Sequence, residues 1–373
     1  MAQHIYTLLF LSGGSIVGQN ILYCLQGRRK NLRLVTTNSV AEEPVIYEYD
    51  RIYLTPPTQG CSEEYMNKVN EIISKENPDL VIPCRDEEVL VVSKLRENAP
   101  NDQKNRFLGG SVEIAQVLLN KQKSWEFSNQ HKLPFAATLQ DKATKEDVLK
   151  FAELHGYPMI AKPKEGFASK NVCLITNEEQ LLKTITSAQV MLQEYLGDSN
   201  RVLEYRKQLE TDGVPLFHSL EGLKHSIQVV ISKTGEVKQV FLSINQMVFG
   251  KSGKVWIVQD PEVEAIGAMC GKIFAENGWR GPLNIQCEKG PNGRVGIYEY
   301  NGRFTGATGA RYLLGNDEVG TYLKDFANIN LPDGNVGNRH KVIRIPKSYA
   351  TDIQNAEKLK RDGFFDISNN NNH

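Results

Sequence analysis

The chain has 373 residues with 44 basic and 44 acidic side chains, so its formal net charge is zero. No global field draws it to nucleic acid or to an anionic membrane. Its length and 40% hydrophobic content suffice for two or three domains with substantial cores. The longest apolar runs, such as residues 5–11, are strand-length and far short of a membrane span. The start of the chain lacks the pattern of a signal peptide, and a cytoplasmic protein is expected. Cys24, Cys61, Cys84, Cys173, Cys270 and Cys287 form no CxxC pair and are expected to be small buried hydrophobes in a reducing compartment. The histidines show no metal-ligand spacing, although His225 lies near the nucleotide-site segments identified below.

Residues 5–11 read as a buried strand, and Gly13, Gly14 and Gly18 turn it into a helix through about Leu25. Further strands are predicted at 32–36, 51–54 and 80–84, with helices near 63–74 and 87–97. That alternation implies an open, mostly parallel sheet. GGxxxG is not the dinucleotide fingerprint GxGxxG, and the nearest downstream acids, Glu42 and Glu43, come late. The glycines either permit a tight turn or help bind a second substrate at the carboxyl ends of the strands. Arg85 and Glu87 end a strand at that same edge, as substrate contacts or as a charged helix start.

Residues 120–130 read as a linking helix and 145–155 as a helix in a small lid. Residues 157–176 then read as strand, loop, strand. Lys162 lies inside an apolar strand, where its burial is costly unless it meets an anion. The loop holding Glu165, Gly166 and Ser169 has the small residues that let backbone N–H groups cover phosphates. No GxxxxGK[ST] occurs, and a strand rather than a helix follows, so this is not a Walker A motif. Residues 190–196 end in Gln193-Glu194-Tyr195-Leu196. They form either an ordinary buried strand or an interdomain strand whose backbone reads an adenine edge.

From residue 225 onward, strands with a hairpin at Thr234-Gly235 precede a helix over 261–277. The most informative stretch is GPLNIQCEKGPNGRVGIYEYNGRFTGATGAR, residues 281–311. Two strands flank the turn Pro291-Asn292-Gly293. Alternation puts Glu299 and Asn301 on one face, and Gln286 on the partner strand can share it. With Arg303 close behind, this set suits a hard divalent metal carrying polyphosphate, against the alternative of a solvated hairpin face. The run Thr305–Arg311 offers an anion pocket in which Arg311 grips a substrate carboxylate, or else a flexible loop. The polar tail from Ser368 reads as frayed.

Taken in order over roughly residues 5–326, these segments resemble the ATP-grasp superfamily, in the branch of carbamoyl-phosphate synthetase and biotin carboxylase. The resemblance implies an N-terminal α/β domain with an open parallel sheet, followed by a two-lobed α+β ATP-grasp fold. It implies units at 1–118, 119–193 (linker and lid), 194–335 (catalytic) and 336–373 (extension and tail). It implies that Lys121 and Lys162 contact phosphates and that the loop with Glu165, Gly166 and Ser169 is the flap. Glu194, Tyr195 and Leu196 match the adenine hinge. Gln286, Glu299 and Asn301 match the magnesium ligands, and Arg303 the cation at the γ-phosphate. The pattern departs at residues 198–221, an insert after the hinge. Lys224 and Gln228 stand where acids are usual, so either Glu221 or another acid of the insert takes the ribose, or that contact is missing.

The chemistry so implied is ATP-dependent: a carboxylate becomes an acyl phosphate, and an amine or similar nucleophile displaces the phosphate. An ATP-grasp carboxylase or kinase, or a nucleotide-binding protein without turnover, are the competing readings. The expected partners are ATP, Mg²⁺ with Mn²⁺ as a substitute, and small or peptide-like carboxylates and amines. Relatives of this kind are often dimers, so a homodimer is one arrangement to test.

Overall fold

The computed structural model describes residues 4–58, 62–140, 142–166, 170–184, 190–215, 222–248, 251–290, 292–334, 336–337, 340–345 and 347–370. Strands β1 (Tyr6–Leu11), β2 (Leu32–Asn38), β3 (Arg51–Leu54) and β4 (Leu80–Pro83) pair in parallel in the order β3-β2-β1-β4. Helices α1 (Ile16–Leu25), α2 (Glu63–Glu76) and α3 (Asp86–Asn98) alternate with them. β1 is buried on both faces, as a central parallel strand must be. Leu8 and Phe10 pack with α1, whereas Leu9 and Leu11 pack with α2 and α3.

Helix α4 (Val112–Leu119) and α5 (Lys121–Gln130) lead to the lid. There α6 (Lys145–His155) and α7 (Glu178–Thr184) accompany a small antiparallel sheet of β5 (Met159–Pro163), β6 (Cys173–Ile175) and β7 (Val190–Glu194), ordered β6-β5-β7. Val148 and Ala152 of α6 and Leu181 of α7 close its core over Met159, Ala161, Ile175 and Leu192. The insert after β7 contains α8 (Ser199–Thr211), whose Arg206 reaches back to the Thr176 carbonyl at 3.4 Å.

The large sheet is antiparallel throughout. It comprises β8 (Leu223–Ile231), β9 (Val237–Val248), β10 (Lys251–Ile257), β11 (Gly281–Lys289), β12 (Val295–Asn301) and β13 (Lys341–Ile343), ordered β12-β11-β8-β9-β10-β13. One face carries Ile227, Val229, Leu283, Ile285, Cys287, Ile297 and Tyr300, packed on Val263, Cys270 and Phe274 of α9 (Pro261–Glu276). Two glycines let this helix lie close to β8. A Cβ on Gly267 would come 2.5 Å from Ile227, and one on Gly271 2.7 Å from Val229.

Helices α10 (Thr308–Leu313) and α11 (Glu318–Ala327) dock this unit on the first sheet. Tyr312, Val319, Tyr322, Leu323 and Phe326 share one core with Leu8, Phe10, Ile21 and Leu25. An Arg28–Asp317 ion pair at 2.7 Å fastens the same joint.

Residues 336–373, expected as an extension, are divided between two sheets. β13 extends the large sheet beside β10. α12 (Ile353–Asp362) and β14 (Phe364–Asp366) return to the N-terminal sheet, where β14 pairs antiparallel with β3. Arg51 ties this edge together, meeting Glu76 at 2.9 Å and Asp366 at 3.0 Å. The tail expected to fray begins as a short 3-10 turn, Ile367–Asn370, and residues 371–373 lie outside the described residues. Among the described residues, no helix is long and apolar enough to cross a membrane.

Candidate active site

The other face of the large sheet is polar because its strands alternate. Gln286 stands opposite Glu299, and Asn284 opposite Asn301. On the far side of β11, Gln286 and Asn284 stand opposite Ser226 and Gln228. Gln286, Glu299 and Asn301 therefore share one face, and Asn284, Ser226 and Gln228 join them. Asn284 Nδ2 donates to Ser226 Oγ at 2.9 Å and to Gln228 Oε1 at 3.1 Å. Sequence reasoning missed Asn284, although the phase of Asn284, Gln286 and Glu288 along the strand marks it. A bulge between Gln286 and Cys287 leaves Tyr298 as the extra residue of β12, and Pro291 of the turn lies outside the described residues.

Lys162 meets this face from the lid and Lys121 from the start of α5, while Lys224 lies on β8 itself. Lys162 is 5% exposed on β5, and its Nζ donates to Gln193 Oε1 at 2.8 Å and to the Tyr298 carbonyl at 2.9 Å. Burial pushes its ammonium down to about 7, helped by Lys121 and Lys224 and opposed by Glu299. Lys121 opens α5 behind Asn120, whose Oδ1 accepts from the Gln122 and Lys123 N–H groups. Lys121 Nζ donates to the Gly166 carbonyl at 2.8 Å and lies 4.0 Å from Glu299 Oε1. Asn120 Nδ2 donates to Glu165 Oε1 at 3.0 Å, so the loop after β5 hangs on the start of α5. Ser169 and Glu221 lie outside the described residues. Lys224 Nζ sits 4.9 Å over the Tyr298 ring, which Lys162 Nζ also approaches at 5.9 Å.

At the hinge, the Glu194 carboxylate is already engaged. It accepts from the Ala137 N–H at 2.6 Å and from the Arg294 guanidinium, with His155 Nδ1 at 3.8 Å. The Glu194 N–H in turn donates to the Ala137 carbonyl at 2.9 Å. The side chain thus holds the lid's connecting segment. Leu196 is buried against Gly296, where a Cβ would come 2.7 Å away, and Tyr195 lies beside it.

Arg303 leads from the row of Gln286, Glu299 and Asn301 to the first sheet. It forms an ion pair with Asp86 at 2.6 Å and donates to Asn301 Oδ1 at 3.3 Å, while its Nε has no partner among the described residues.

Arg311 is a correction to the sequence reading. It is wholly buried, with Nε and Nη2 on Glu318 Oε1 at 3.0 and 2.6 Å and two further bonds, to Thr305 and Thr308. With those donors spent inside the core, it does not grip a substrate. The N–H groups of the expected anion pocket are spent too: Gly309 donates to Asn20 Oδ1, Ala307 to Thr305 Oγ1 and Thr305 to Thr308 Oγ1. Arg311→Met leaves Glu318 buried and unpaired, so it should lower stability by about 3–5 kcal/mol. Urea denaturation checks this, with nucleotide binding to the folded protein unchanged.

At the first sheet's carboxyl edge, Ser12 takes the left-handed conformation (φ 52°). Gly13 is needed for space, since a Cβ there would lie 2.3 Å from Thr36 Oγ1. Glu88 organises this edge. It is fully buried and accepts from Ser12 Oγ, the Cys84 and Arg85 N–H groups and Tyr65 OH. Burial raises its carboxyl to about 7. Beside Arg85 and Glu87, Asp86 and Glu88 make contacts that join the elements, Asp86 to Arg303 and Glu88 to Ser12. Cys173 is exposed, contrary to expectation, while Cys24, Cys84, Cys270 and Cys287 are buried. His225, paired with Cys287 in the ladder, points to the face opposite Lys224.

Among the described residues, no group of three His, Cys, Asp or Glu side chains can hold a metal. Glu299, Gln286 and Asn301 offer one carboxylate and two amides. Such a set fits Mg²⁺ when phosphate oxygens and water complete its shell. Lys121 and Lys162 beside Glu299, with Lys224 close enough to act on Lys162, also fit a polyphosphate, whose charge offsets their mutual repulsion.

No protein-family model matches the sequence, and no curated protein sequence matches it significantly. Solved structures do. N5-carboxyaminoimidazole synthetase from Staphylococcus aureus superposes with a TM-score of 0.64 at 15% identity, over 88% of this chain and 80% of that one. Biotin carboxylase from Campylobacter jejuni, in a β-γ-ATP complex, gives 0.62 at 15% identity over 89% and 73%. L-amino acid ligase from Bacillus licheniformis gives 0.59 at 14% identity over 87% and 75%. The fold of this chain is the ATP-grasp fold that these enzymes share.

Proposed function

From the premise that this chain carries an ATP-grasp fold, we propose that it is an ATP- and Mg²⁺-dependent ligase joining a carboxylate to an amine. The observation that carries this reading is the approach of Lys121 and Lys162 to Glu299, with Lys224 close to Lys162, beside the polar row of Gln286 and Asn301. Neighbours of the same fold support the nucleotide, one of them solved with MgADP and bicarbonate.

In this reading Lys162 and Lys121 hold phosphate oxygens, with the loop of Glu165 and Gly166 laid over them. The backbone at Glu194–Leu196 receives the purine. Gln286, Glu299 and Asn301 hold Mg²⁺, which supplies charge neutralisation at the phosphates. A substrate carboxylate oxygen attacks the γ-phosphorus as the bond to the β–γ bridging oxygen breaks and ADP leaves. Arg303, with an unpartnered Nε and fixed by Asp86, stabilises the negative oxygens of that transfer. The amine then attacks the acyl carbon, phosphate departs, and the amide retains the nitrogen. Positioning and electrostatics carry the rate, so no activated Ser or Cys is required.

The test is incubation with ATP, Mg²⁺ and pools of amino acids and small carboxylic acids, followed by mass spectrometry. ADP, phosphate and a new amide mass are expected. A phosphorylated product without an amide points to a kinase, and no ATP consumption with any pool contradicts catalysis.

A further inference from the structure

The ribose contact is the place where this chain departs from its resemblance, because a lysine, Lys224, occupies the strand position where an acid is usual. The large sheet supplies an acid elsewhere. Glu288 lies two residues beyond Gln286 on β11, on the same face by alternation, and faces Gly296 across the ladder. Since His225 pairs with Cys287, Lys224 flanks Glu288 on the neighbouring strand. Lys224 is the charged group that acts on the Glu288 carboxylate, and Glu288 acts in turn on Tyr195 of the hinge and on Tyr298. Both side chains are half-buried, and neither has a hydrogen-bond partner among the described residues.

Their position along the site is set by its two ends. The metal-ligand row lies at Gln286 and Glu299. The hinge residue Leu196 sits against Gly296, the ladder partner of Glu288. A strand advances about 3.3 Å per residue, so Glu288 stands about 7 Å from Gln286 toward the hinge. A nucleotide with its phosphates over the metal row and its base at the hinge places its sugar and α-phosphate at that level. A carboxylate accepts from two adjacent hydroxyls at once, and an ammonium on an aromatic face suits a phosphate oxygen.

We infer that Glu288 reads the ribose 2′- and 3′-hydroxyls and that Lys224 holds the α-phosphate. This inference rests on the nucleotide reading of the site. Titration calorimetry in Mg²⁺ tests it with ADP, 2′-deoxyADP, 3′-deoxyADP and adenosine. The wild type should bind ADP about tenfold or more tighter than either deoxy analogue, the size of a lost hydrogen bond to a charged group. Glu288→Gln should weaken ADP by a similar factor and bring the three affinities together. Lys224→Ala should weaken ADP while leaving adenosine affinity and the ADP-to-deoxyADP ratio unchanged. Thermal melting of each variant establishes that it is folded. Tight ADP binding with the wild-type ratio preserved in Glu288→Gln overturns this inference alone. Absence of ADP binding by the wild type overturns the nucleotide reading as well.

Discussion

Replacing Glu299 and Asn301 together with alanine will cut Mg²⁺-dependent ATP turnover by about a hundredfold or more, while the protein stays folded. The rate loss follows from removing the carboxylate and one of the two amides of the proposed Mg²⁺ ligand set. Preorganised groups of this kind are typically worth about 10²–10³ in rate when removed singly. The fold should survive because neither side chain supports it. Among the described residues, Glu299 makes one loose ion pair, at 4.0 Å to Lys121. Among the same residues, Asn301 accepts one long bond from Arg303, and its Nδ2 has no partner. Arg303 keeps Asp86 in the variant, so no buried charge is stranded. Release of ADP under saturating ATP measures the effect, with thermal melting as the control for folding.

Lys162→Met should give the second large effect, with a pH signature that separates it from simple damage. Methionine fits an apolar strand position and removes an ammonium whose burial is costly. ATP affinity should fall by about ten- to a hundredfold, as expected for losing a charge-assisted contact. The ordinary value for a lysine is 10.5, and burial brings Lys162 to about 7. Between those two pH values the unfolded chain holds the proton that the folded chain has released. Unfolding stability contributed by this group therefore rises with pH across that window, and its penalty is complete below pH 7. Lys162→Met should flatten that rise. Bound triphosphate favours the charged form, so nucleotide binding near pH 8 should take up a proton. Calorimetry in buffers of different ionisation enthalpy reads this uptake. Undiminished uptake in Lys162→Met would assign the proton to another group.

Long periodic segments were legible from sequence. The helix expected over 145–155 and that over 261–277 correspond to α6 and to α9, because an apolar stripe against a sheet is a strong local signal. The short strands β13 and β14 were not read. Each has three residues, and each exists through pairing with a distant edge strand, which no local pattern encodes. The polar face of the hairpin was half legible: Gln286, Glu299 and Asn301 stood out, whereas Asn284 and Glu288 lay in the same phase unremarked. Arg311 was misread because burial cannot be seen in a run of small residues. Its partner Glu318 lies on the next helix, seven residues away, where a pairing has no fixed sequence signature. Glu88 was missed for a related reason, since a capping acid on a helix and a buried organiser of a loop look alike in sequence.

The position of a bound nucleotide is the most direct test of this site. A crystal structure with Mg²⁺ and a non-hydrolysable ATP analogue should show the triphosphate between Lys121 and Lys162 on one side and Gln286, Glu299 and Asn301 on the other, with the purine against the backbone of Glu194–Leu196. A nucleotide seated elsewhere, or one held in this cleft with its metal remote from Glu299 and Asn301, would contradict it.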